Sequence, residues 1–172
     1  TDPTRETSLV ASDAAGVPTG VTVNSVAVRD DGLLAVAVEA PVKTDPGWIA
    51  FADADSLTWL GSVQVGALPD MVTITDDGAR AVVANEGEQF TSASNPVGSV
   101  SILDLSGGAA AAAVSATVGF DALDGSEAVL RAKGLAISPG KSAAADIEPE
   151  YIALSPDNRF AYVTLQEVNG IA

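Results

Sequence analysis

The chain has 172 residues, a length that one domain accounts for, and its 47% hydrophobic content is enough to bury a core. A net charge of −15, from 23 acidic and 8 basic residues, leaves no basic stripe for nucleic acid or for an anionic membrane surface. With neither Cys nor His, the chain supplies no disulfide, no Cys/His zinc site, no haem ligand of those types and no Ser-His-Asp or Cys-His catalytic set. Its most apolar low-complexity run, the alanine stretch from Gly107 to Val114, is too short to span a membrane, and no signal peptide is visible at Thr1.

In chain order, Thr1 to Ala11 reads as a strand that ends a preceding unit, with a connection to about residue 20. Asn24 to Gly32 followed by Leu33 to Glu39 then reads as a hairpin: a β-branched run, Asp-Asp-Gly, and a second apolar run. Trp48 to Asp53 and Leu57 to Val65 supply two more strands. The pattern returns at Asp70 to Gly78 and Ala79 to Asn85, with Ser99 to Asp104 and Ala111 to Val118 as the second pair. It returns again at Glu150 to Asn158 and Arg159 to Leu165, where Pro-Asp-Asn replaces Asp-Asp-Gly. Gly or Asn closes each turn because a left-handed backbone is needed there. Gly32 and Gly78 lie 46 residues apart, and Asn158 follows after one period plus an insertion of 34 residues.

Four antiparallel strands in each period of that length are the signature of a β-propeller blade, written here a to d from the inside outwards. A sandwich of short strands is the alternative, but it has no reason to repeat one turn chemistry three times. The expectation is an all-β chain of about two and a half blades from a larger ring. Residues 1–20 end a preceding blade, 21–66 and 67–118 are blades, 119–147 are an insertion, and 148–172 begin another blade. Trp48 and Trp59 are expected to pack between blades, and Met71 and Phe160 in the core. Of Tyr151 and Ile152, one should face the channel or the adjacent blade.

Several motifs resemble one family: Val23 to Val28, Lys43 to Gly47, Val65 to Thr73, Ala84 to Glu88, Gly98 to Ser106 and Glu148 to Asp157. Together they resemble the bacterial surface propellers called choice-of-anchor I. These are similar to YVTN and lactonase-like seven-bladed propellers and to animal mesenchyme-specific cell-surface glycoproteins. The resemblance runs from about residue 20 to 170, in order. It implies an extracytoplasmic, secreted or cell-surface protein with a chain longer than this one and, by likeness, seven blades. Members are frequently labelled alkaline phosphatase or esterase-like. This chain departs from a phosphatase pattern, having no His ligand and no evident nucleophile motif.

Antiparallel alternation puts the b–c and d–a loops on one face of the ring and the a–b and c–d turns on the other. Asp30, Asp31, Asp76, Asp77 and Asp157 fall in a–b turns, and Asp53, Asp55 and Asp104 at c–d turns, where Asp caps its own turn. Turn chemistry does not explain the carboxylates of the other face. Asp70, Glu148 and Glu150 stand at d–a entries, and Glu39, Glu86, Glu88 and Glu167 at the ends of b strands or in b–c loops. The repeat aligns Asp70 with Glu150, and Glu86 with Gln166 or Glu167. Asp70, Glu86, Glu148, Glu150 and Glu167 are therefore the candidate ligands for a hard cation, Ca²⁺ or Mg²⁺, which takes oxygen donors. The alternative is a solvated acidic rim.

The insertion, with a short helix expected over Glu127 to Lys133, and the b–c loop from Glu86 to Val97 fall on that same face. Three weak motifs are set aside. Gly134 to Ser142 has one residue too many for a nucleotide-binding P-loop, Ser138 and Lys141 lack the companion motifs of penicillin-binding enzymes, and Asp53 and Asp55 begin a calcium loop that does not continue.

The leading functional expectation is a binding or scaffold module presenting an acidic loop face to a protein, glycan or cation. A metal-dependent phosphoesterase or lactonase-like hydrolase and a structural piece of a surface layer or fibre are the alternatives. Expected partners are further blades of the same protein or copies of it, with no nucleic acid and no membrane span.

Overall fold

A computed structural model describes residues 8–88 and 95–172. Among these described residues eleven strands fall in chain order into three antiparallel meanders. The first sheet holds β1 (Thr22–Val28), β2 (Leu33–Glu39), β3 (Pro46–Asp53) and β4 (Thr58–Ala67). The second holds β5 (Pro69–Ile74), β6 (Arg80–Asn85), β7 (Ser99–Asp104) and β8 (Ala113–Gly119). The third holds β9 (Ile152–Leu154), β10 (Ala161–Leu165) and β11 (Gly170–Ile171). This is the architecture of β-propeller blades, with β1, β5 and β9 as the innermost strands and β1 packed against β5.

The sheets stack through apolar faces. Leu33, Ala35, Ala37, Ile49, Phe51 and Val65 of the first sheet meet Val72, Ala81, Val83 and Leu103 of the second. The opposite face of the second sheet, with Val82, Ala84 and Val100, meets Ile152, Val163 and Leu165 of the third.

The three a–b turns close on left-handed residues, Gly32 (φ 87°), Gly78 (φ 68°) and Asn158 (φ 56°). The second and third share one network. The Thr75 and Ser155 hydroxyls each donate to an aspartate, Asp77 and Asp157, at 2.6 Å, and each accepts a backbone N–H from β6 or from the start of β10's run. The first turn differs, because Arg29 stands in the hydroxyl's place and the turn is one residue shorter. Arg29 N bonds Leu33 O, whereas Thr75 N reaches to Arg80 O and Ser155 N to Phe160 O. Alignment on Gly32 and Gly78 is therefore out of step beyond the turn: Leu33 corresponds to Arg80, and Glu39 to Glu86 rather than to Asn85. One residue of slip reverses which face a side chain takes. Only the shifted match brings Ala35 and Ala37 into correspondence with Val82 and Ala84, all facing the next sheet.

Of the strand expected over Thr1 to Ala11, residues 1–7 lie outside the described residues, and Ser8 to Ala11 contain no strand. A 3-10 turn at Ala11–Asp13 instead lays Ala11, Ala14 and Val17 on the flank of the first sheet. Trp48 and Trp59 pack there, with Trp59 Nε1 donating to Val10 O at 3.1 Å, rather than between two sheets. Met71 packs into the core between the second and third sheets. Phe160 does not: it is exposed, with the Arg159 guanidinium over its ring. Ile152 is buried and Tyr151 exposed.

Between β8 and β9, a 3-10 turn at Asp121–Leu123, helix α1 (Glu127–Ala132) and helix α2 (Ala143–Asp146) form a knit unit. Asp124 and Glu127 accept the Ala144 and Ala143 N–H groups at 2.8 and 3.1 Å. Phe120, Ile137, Ala143, Ala144 and Ile147 are buried in the core shared by the second and third sheets. The insertion is thus a wedge between blades, tied to the third sheet by Ala136 N donating to Val168 O.

Candidate acidic mouth

The innermost strands share one irregularity. β1 and β5 each carry a bulge, at Asn24 and at Asp70. In the third sheet Thr164 bonds the backbone of both Glu150 and Tyr151, which makes Glu150 the equivalent extra residue. A bulge turns its residue out of the ladder and aims the side chain anew. Each bulge residue is matched by a residue at the end of the neighbouring b strand or directly after it: Glu39, which ends β2, Glu86 after β6 and Gln166 after β10.

The three pairs differ in chemistry. In the first sheet Asn24 Nδ2 donates to Glu39 Oε2 at 3.4 Å and to Pro69 O at 3.2 Å. In the third, Gln166 Nε2 donates to Glu150 Oε2. Both are amide–carboxylate pairs, and each satisfies its own acid. The second sheet puts carboxylates at both positions, Asp70 and Glu86.

The electrostatics follow. Glu86 is half-buried, and burial, then the charges of Asp70, Glu88, Glu148 and Glu150, push its carboxyl up to about 7. Burial, then Glu39, raises Asp70. Burial, then Glu167 and Asp70, raises Glu150, while the Gln166 hydrogen bond pulls the other way. Lys43 reaches into this field, with Nζ 3.9 Å from Glu39 and 3.7 Å from Glu88. The sequence-predicted ligands are linked through their charges: Asp70, Glu148 and Glu150 act on Glu86, and Glu167 and Asp70 act on Glu150. They do not converge on a point: among the described residues no three Asp or Glu side chains form a group that could hold a metal ion.

Sequence reasoning singled out neither Asn24 nor Lys43 nor Gln166 as a site residue. The signal for Asn24 was its place at the head of the first repeat, matching Asp70 and Glu150. The b–c loop expected to frame the face is described only in part, since residues 89–94 lie outside the described residues; Asn95 Nδ2 beyond them donates to Ala145 O of the insertion at 2.8 Å. Of the turn aspartates, Asp31, Asp53, Asp77, Asp104 and Asp157 cap their turns. Asp53 accepts from Ser56, Asp104 from the Ser106 N–H and Asp77 from the Ala79 N–H. Of the weak motifs, Lys141 is tied to Asp146 at 2.9 Å and Ser138 N donates to the same carboxylate, so that lysine is not free to act as a base on Ser138.

A family model, the choice-of-anchor I domain, matches the chain over its full length, residues 1–172. The chain belongs to the choice-of-anchor I family. No curated protein matches it. Among solved structures, a eukaryotic initiation factor aligns with TM-score 0.54 and 14% identity, over 92% of this chain and 28% of that one. Kuenenia stuttgartiensis hydrazine synthase gives 0.40 and 14%, over 87% and 63%, and the Dos1 propeller 0.37 and 8%, over 85% and 40%. The first of these likenesses concerns the fold alone. A choice-of-anchor I domain of propeller blades fits a surface binding module, the family name fits cell-surface association, and no helix among the described residues is long and apolar enough to cross a membrane.

Proposed function

We propose that this choice-of-anchor I chain is a binding module of an extracytoplasmic surface propeller and that its acidic mouth receives a cationic group at the Asp70–Glu86 pair. One observation carries the reading. The flanking blades give the equivalent acid a hydrogen bond from an amide, Asn24 on Glu39 and Gln166 on Glu150, whereas the middle blade sets carboxylate against carboxylate. A cation entering there relieves repulsion that the fold otherwise bears at Glu86. Two carboxylates with Glu148 and Glu150 close by suit Ca²⁺ or Mg²⁺ if the partner or water completes the oxygen shell, and they equally suit a lysine or arginine of a surface protein. Further blades of the same protein would extend the ring around this mouth.

Calorimetric titration of the full chain with Ca²⁺, Mg²⁺ and a short lysine peptide tests the reading. Saturable heats with at least one probe, abolished in Asp70→Asn/Glu86→Gln, are expected. Heats that are absent, or unchanged in that variant, overturn it.

A further inference from the structure

The chain contains five asparagines, and the structure holds four of them away from side-chain chemistry. Asn24 is engaged by Glu39 and Pro69 O and is followed by Ser25. Asn85 is fully buried, with its amide bonded to Gly66 N, Ser99 Oγ and Ser101 Oγ. Asn95 is followed by Pro96, which has no backbone N–H. Asn158 accepts the Asp76 N–H at 3.3 Å and is followed by Arg159. Asn169 is the exception: it is exposed in the turn between β10 and β11, and the next residue is Gly170, whose missing side chain leaves its nitrogen open to approach.

The geometry points to Asn169 as a site of spontaneous covalent modification, deamidation through its own backbone. The Gly170 nitrogen, losing its proton to solvent base, attacks the Asn169 side-chain carbonyl carbon. An N–Cγ bond forms, the Cγ–Nδ2 bond breaks, and Nδ2 leaves as ammonia with that proton, giving a five-membered succinimide. Water then opens either carbonyl, to aspartate or to isoaspartate. The net change is one water consumed and one ammonia released, with no oxidant or reductant. Attack requires the turn to open first, because Asn169 is left-handed (φ 54°) and Gly170 is paired with Leu165. Asn is the residue type known to be thermolabile in this way.

The position gives the change a consequence. The turn carries Glu167, which already raises Glu150, so a new carboxylate at 169 adds to the same acidic face. Isoaspartate also lengthens the main chain by one methylene beside Val168, which is buried and whose carbonyl accepts the Ala136 N–H of the insertion. A slow chemical event in this turn therefore loosens the tie between insertion and third sheet.

The test is ageing of the full chain at mildly alkaline pH, read by peptide mass spectrometry, ammonia release and isoaspartyl methyltransferase labelling. Gly170→Ala is the control. A Cβ there meets only Leu135 and Leu165 atoms at 3.6 Å or more, and the backbone is not left-handed, so the fold accepts it. Conversion confined to Asn169, with matching ammonia and at least tenfold slower in Gly170→Ala, is expected. Conversion spread over Asn24, Asn85 and Asn158, an intact Asn169, or the same rate in Gly170→Ala overturns the assignment.

Discussion

Replacing Glu86 by Gln should remove a pH dependence of stability whose sign follows from the mouth. The folded state raises this carboxyl from 4.5 to about 7, so it binds the proton more tightly than the unfolded chain does. The resulting stabilisation is fully present below pH 4.5 and is lost as pH rises through about 7. A shift of that size has a ceiling of about 3 kcal/mol. Glu86 is only half-buried, and solvent screening brings the figure to roughly 1–2 kcal/mol. Asp70 and Glu150 are raised as well and slope the same way. The turn aspartates are lowered, so their contribution is present above the ordinary carboxylate range and lost on going below it, which separates the two windows. Urea denaturation of the full chain across this range should show midpoints falling between pH 4.5 and 7 in the parent, and falling less in Glu86→Gln. Glu86→Gln should also be the more stable protein above pH 7. Parallel pH profiles for parent and variant would refute the reasoning.

Three further outcomes are expected. Asn85→Ala removes a fully buried amide that joins β4, β6 and β7, at about 1 kcal/mol per lost hydrogen bond plus unsatisfied partners. The cost of about 3 kcal/mol corresponds to a melting-temperature drop of roughly 6–12 °C, to be read by calorimetry. Thr75→Val keeps the shape but deletes the hydroxyl that organises the second turn, and should cost about 1–2 kcal/mol in urea titrations. Gly98→Ala would put a Cβ 2.4 Å from Ile147 O and 2.5 Å from Pro149 Cδ, and should cost about 1–3 kcal/mol, with faster exchange of insertion amides in hydrogen-exchange measurements.

The blade was legible because hairpin chemistry is local. Asp-Asp-Gly and Pro-Asp-Asn announce a left-handed turn residue, and Gly32, Gly78 and Asn158 adopt it. The one-residue difference between the first turn and the others was not legible. It depends on whether a hydroxyl or Arg29 organises the turn, and the consequence, which face Ala35 takes, appears only once two sheets are stacked. The same limit applied to Phe160 and the tryptophans: apolar character says that a side chain can be buried, not which neighbour arrives to bury it. At the mouth, strand alternation led to the expectation that Asp70, Glu86, Glu148, Glu150 and Glu167 share a face, and it says nothing of whether they converge, because bulges re-aim the side chains. The amide partners that distinguish the flanking pairs were hidden for a related reason, since Asn24 and Gln166 matter only through the carboxylates they meet.

The most direct test of the acidic mouth is a carboxyl-detected NMR titration of Glu86 in the full chain, with and without Ca²⁺ or a lysine peptide. Glu86 is expected to titrate near 7 and to move downward when the cation binds, because the ligand favours the ionised carboxylate; Asp70→Asn should weaken both effects. A Glu86 that titrates near 4.5 and ignores both cations would contradict it.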